Sequence, residues 1–100
     1  MSKTYWISFR LHDDNTYDKR YSDLVETIRK VSSTWWVEPS SFIVFGSEYD
    51  ISTIAGSVKT AINPDTDMAL IGMPDYKSAR LIGVNEDEDI VKLIPFVKKL

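Results

Sequence analysis

Cysteine is absent from the 100 residues, which excludes a disulfide framework, a thiolate zinc site and a thiol nucleophile. Such a composition suits an intracellular protein. Histidine occurs once, as His12. With no cysteine and no defined serine partner, it forms no catalytic triad. The four glycines, Gly46, Gly56, Gly72 and Gly83, are scattered and build no phosphate-cradling loop. The acidic run 86–89 lacks the glycine and the alternating spacing of a calcium loop. No apolar run approaches membrane-spanning length, and the N-terminus lacks a charged-then-apolar signal pattern. A cytoplasmic protein without a membrane partner is expected. A basic surplus is also missing: the net charge is -3 at pH 7. Domains that bind nucleic acid through phosphates are usually basic, so charge disfavours that partner.

What is present is an ordinary globular chain, with 43% hydrophobic and 27% charged residues. Its length gives one domain with a single two-layer core, spanning residues 1–100. Residues 4–11, Thr-Tyr-Trp-Ile-Ser-Phe-Arg-Leu, alternate strictly. Tyr5, Ile7, Phe9 and Leu11 point one way; Thr4, Trp6, Ser8 and Arg10 point the other, the two-residue period of a strand. The first face needs a helix layer to bury it. The second carries an indole, a hydroxyl and a guanidinium, an unusual surface to leave in plain solvent.

A polar turn at 12–16 follows, with Thr16 placed to cap a helix over 17–33. Tyr17, Tyr21, Leu24, Ile28 and Val31 recur at helical spacing. Residues 32–34 break this helix, 35–37 read as a short strand, and 38–41 as a turn. Phe42-Ile43-Val44-Phe45 is a continuous run, the pattern of a strand buried on both faces, and Gly46-Ser47 ends it. Asp50 or Ser52 caps a second helix reaching 62, stopped by Asn63-Pro64. Strands are expected over 67–73 and 78–84, separated by a turn at Pro74-Asp75. The acidic run 86–89 opens a short last helix, favoured by the dipole at its N-terminus. Pro95 interrupts it, and 96–100 is a tail without assigned form.

The order β-α-β-β-α-β, with an extra C-terminal strand and a short terminal helix, predicts a ferredoxin-like α+β sandwich. That fold has one antiparallel sheet with two helices on one face. Its other face is open and carries Trp6, Ser8 and Arg10. An aromatic at Trp6, with whichever of Phe42 or Ile43 shares its face, can stack a base or pack across a dimer. Asp13 and Asp14 sit on the turn after the first strand and are the residues able to hold magnesium, which wants hard oxygen ligands. Arg10, Lys19, Arg20, Arg29 and Lys30 form the basic set available to phosphates, diluted by Asp18, Asp23 and Glu26.

Taken together, the opening 5–11 segment, the helix from Tyr17 and the 34–42 hairpin resemble a known group. So do Asp67-Met68-Ala69-Leu70-Ile71 and Ala79-Arg80-Leu81-Ile82-Gly83. The chain resembles the short bacterial proteins labelled SinR family. These are similar in outline to VapD ribonucleases and to the small CRISPR-associated endoribonuclease that scaffolds spacer integration. The resemblance implies a protomer that dimerises through its sheet, with a late strand reaching toward the partner. It also implies an aspartate near the end of the first strand that binds magnesium across the dimer. Here that position holds Arg10, and a guanidinium pairs with phosphate or carboxylate, not with a metal.

The expected function is therefore a non-catalytic homodimeric interaction module without a cofactor, open to a protein partner, with Trp6, Ser8 and Arg10 at the interface. The alternatives are a magnesium-dependent ribonuclease using Asp13 or Asp14, and a nucleic-acid binder without catalysis using the basic set.

Overall fold

A computed structural model describes residues 2–37, 40–74 and 76–100 of the chain. The turns expected at Glu38-Pro39 and at Asp75 lie outside the described residues. The elements run β1 (Lys3–Arg10), α1 (Tyr17–Val31), β2 (Ser32–Trp36), β3 (Phe42–Ser47), α2 (Ile51–Ala61), β4 (Met68–Met73), β5 (Tyr76–Gly83), α3 (Asp89–Leu93) and β6 (Val97–Lys99). The six strands form one sheet in the order β2-β3-β1-β4-β5-β6.

The alternation in the first strand is realised as expected. Tyr5, Ile7, Phe9 and Leu11 are buried, while Trp6 and Ser8 are half-buried and Arg10 is exposed. β1 is central and pairs antiparallel with both β3 and β4. Its apolar face joins Ile43, Phe45, Ala69, Ile71 and Ile82 from neighbouring strands, closed by Leu24 and Ile28 of α1 and Ile54, Ala55 and Val58 of α2. Tyr5 and Phe45 stack in this layer with ring centroids 5.5 Å apart. Burial of this contiguous apolar set is the main favourable term holding helices to sheet.

Several expectations need correction. The sheet is mixed, not antiparallel throughout, because β6 pairs parallel to β5. The chain leaves β5, crosses through α3 and returns in the same direction, and parallel neighbours require such a crossover. The 96–100 tail thus contains a strand. β3 is not buried on both faces: its burial alternates along the strand, because α1 and α2 cover one side only. It also runs through Gly46 to Ser47 rather than ending before them. α1 stops at Val31 and β2 begins at once, so residues 32–34 are strand, with a bulge between Ser32 and Thr34.

The first cap also differs. The Thr16 side chain makes no cap bond to the helix; Asp14 accepts from the Thr16 amide and hydroxyl instead. α2 is capped by Asp50, whose carboxylate accepts from the Thr53 amide at 2.7 Å. No described helix is long and apolar enough to cross a membrane.

Candidate functional site: the sheet face opposite the long helices

The face turned away from α1 and α2 is built from cross-strand rows. Pairing aligns Trp36 with Val44, Val44 with Trp6, and Trp6 with Gly72. The next row aligns Phe42, Ser8, Leu70 and Leu81. Gly72 lets the Trp6 indole lie flat on the sheet: a Cβ at Gly72 would stand 2.3 Å from the indole ring. Trp6 also stacks on Phe42 at 6.2 Å between centroids with planes 25° apart. Phe42, not Ile43, therefore shares the Trp6 face. This half of the face is apolar and only half-buried, and Trp36 is 49% exposed at its margin.

The other half is covered. A cavity of about 250 Å3 lies between Ser8, Met68, Leu70 and Leu81 on the sheet and Ile90 and Leu93 of α3. The short last helix therefore stands on this face, and Leu81 beneath it is buried. The three residues expected at the interface are thus separated in environment. Trp6 lies on the bare half, and Ser8 lines the α3 cavity. Arg10 is exposed at the far row, donating through Nη2 to the Val84 carbonyl at 3.3 Å.

The acidic turn and the basic set meet in a different structure. Arg20 is 9% exposed and points inward from α1. Its Nη1 donates to both oxygens of Asp67 at 2.6 Å. Its Nη2 donates to the His12 carbonyl at 2.8 Å and to Asp14 Oδ1 at 2.7 Å, and its Nε to Thr16 Oγ1 at 3.0 Å. Asp67, fully buried, also accepts the amides of His12 and Asn63 at 2.8 Å. Burial pushes the Asp67 carboxyl up, but those amides and the Arg20 guanidinium outweigh it and hold the group below its ordinary value. The Thr16 amide first, then Arg20 and the Thr16 hydroxyl, lower Asp14 to about 2.

This network fastens the end of β1, the start of α1 and the entry to β4. Nothing in the local sequence marks Asp67, whose partner Arg20 lies 47 positions away.

The turn is a poor fit for magnesium. Asp14 Oδ1 already accepts from Thr16 and Arg20, so a cation there would sit against a guanidinium. Asp13 and His12 are exposed beside it. Among the described residues, no group of three His, Asp or Glu side chains could hold a metal ion.

Two of the remaining basic residues are engaged with carboxylates. Lys19 pairs with Asp23 at 2.8 Å, and Arg29 makes a two-point contact with Glu26. Lys30 is exposed near the end of α1. Arg20 faces the core while Lys19, Arg29 and Lys30 face solvent, so these residues share no single phosphate-binding stripe.

Trp36 and Val44 belong to the bare apolar face although no sequence motif singles them out. Their cue is the strand register, which only the folded chain supplies. No protein-family model, curated protein or solved structure matches this chain.

Proposed function

We propose that the chain is a cytoplasmic, non-catalytic homodimeric interaction module of ferredoxin-like fold, akin to the SinR, VapD and CRISPR-associated group it resembles in pattern. The strand order β2-β3-β1-β4 with α1 and α2 against one face supports the ferredoxin-like reading. One observation carries the functional reading. Trp36, Val44, Trp6 and Phe42 form a continuous, incompletely buried apolar surface on a face that the long helices leave uncovered. Contiguous apolar surface of this kind marks a protein interaction site. Aromatic anchors such as tryptophan dominate the energetics of such sites.

Catalysis finds no comparable support. Asp14 is held by Arg20 and Thr16, and His12 has no nucleophile partner among the described contacts. The test is incubation with labelled single-stranded RNA and duplex DNA, with and without magnesium, read for binding and cleavage. Intact nucleic acid in every sample is expected. Magnesium-dependent cutting abolished by Asp13→Ala with Asp14→Ala would overturn the reading in favour of a ribonuclease. Binding that weakens steeply with salt would instead favour a phosphate-binding role for Arg10, Lys19, Arg29 and Lys30.

A further inference from the structure

We propose that the outer edge of β2 joins two copies of this chain, antiparallel about a two-fold axis, so that their sheets continue as one. This inference rests on the homodimeric reading above and names the surface that makes the dimer. β2 is a terminal strand of the sheet, so one side of it presents backbone N–H and C=O groups that no other described strand pairs. Proteins protect such edges with charge, proline, extreme shortness or a cover.

The two edges of this sheet differ in that respect. β6 has three residues, two of them lysines, and so carries the usual protection. β2 reads Ser-Ser-Thr-Trp-Trp, without charge or proline, and four of its five residues are exposed. Its bulge is confined to the end next to α1, between Ser32 and Thr34; Thr34, Trp35 and Trp36 pair in regular register with β3. An open, uncharged strand rich in β-formers is a template for another strand.

The occupant follows from the same residues. Each chain has a net charge of -3, yet a two-fold through β2 sets only hydroxyls and indoles opposite one another. Among the five residues of the strand itself no like charges meet. The strand is also small at one end and large at the other, so antiparallel pairing brings the tryptophans of each copy beside the serines and threonine of its mate. A groove of about 430 Å3 runs along the strand, lined in part by Ser2, Thr4, Ser33 and Gly46, and opens beside Trp36. It has room for the partner's Trp36. A two-fold normal to the sheet keeps both bare faces on one side, so the Trp36-Val44-Trp6 rows of the two copies form one binding surface.

The lack of cysteine makes the test direct, because a single introduced thiol reports a single surface. Ser33→Cys and Thr34→Cys place it on β2, and Arg10→Cys places it on the sheet face; all three residues are exposed. Each variant is treated with a short-armed bis-maleimide after light scattering has given its mass and circular dichroism has shown it folded. Most of the protein is expected to become covalent dimer for the β2 thiols and little for Arg10→Cys. Trp36→Lys is expected to raise the dimer dissociation constant at least tenfold. Dimers that cross-link through Arg10→Cys but not through β2 would overturn the edge assignment while the homodimer stands. A single-chain mass for the unmodified protein across the micromolar range would overturn both.

Discussion

Asp67 is the residue on which the joint between sheet and first helix depends. It is a fully buried carboxylate held by two amides and a guanidinium. Asp67→Ala leaves the Arg20 guanidinium with Asp14 alone as its ion-pair partner and strips the His12 and Asn63 amides of their acceptor, so it is expected to cost roughly 3 kcal/mol. Urea denaturation checks this as a lower midpoint with an unchanged slope. The double variant Asp67→Leu with Arg20→Met is expected to lose less than Asp67→Ala alone, because neither charge is then stranded.

The same network fixes a pH dependence. Asp14 and Asp67 both have lowered folded-state values, so unfolding raises their proton affinity. Their stabilisation is complete above the ordinary value of 3.8 and is lost as pH falls below it, for Asp14 toward about 2. Tm followed from neutral pH into acid is expected to drop across that window, and Asp14→Asn should make the drop shallower. An equal acid response in both proteins would remove Asp14 from the account. Gly83 belongs to this scale too. Its φ is +90°, and a Cβ there would lie 1.8 Å from the Asp67 carbonyl oxygen. Gly83→Ala is therefore expected to lower Tm through both strain and a backbone clash.

At the scale of elements, what could be read in the sequence was whatever repeats locally. The two-residue period of β1 and the helical stripe of α1 each occur within one short segment, and both elements form where that pattern lies. Asp50 before Ile51 likewise marks the start of α2. The parts that were not legible depend on distant partners. Arg20 looks like one more surface cation until the fold brings Asp67 to it. β6 has one apolar residue in three, too little periodicity to declare a strand that exists because β5 lies beside it. The Phe42–Phe45 run resembles a fully buried strand, yet Phe42 and Val44 stay half-covered because both long helices occupy the other face. The bare site is therefore half-visible: Trp6 follows from alternation, whereas Trp36 needs the register.

α3 gives a prediction of its own. It has five residues, no buried side chain and no side-chain cap at Glu88, and it stands over a cavity of about 250 Å3. Few apolar contacts mean a low cost of local opening. Amides of α3 are expected to exchange hydrogen well before those of β1, β3 and β4. Equal protection would contradict the weak attachment of this helix.

For the whole molecule, structure and composition lead to the same account. The chain holds a firm two-layer core and a buried ionic joint. One side of its sheet is left with an indole row at its margin, beside an uncharged edge strand. A monomer leaves both in water; a second copy paired through β2, as proposed, would cover the edge and set the two indole rows side by side. Sedimentation equilibrium of the unmodified protein, from submicromolar to tens of micromolar, tests this most directly. The account predicts a mass approaching twice the 11.5 kDa of one chain, with Trp36→Lys shifted toward a single chain at equal concentration. A mass of one chain throughout, identical for both proteins, would contradict it.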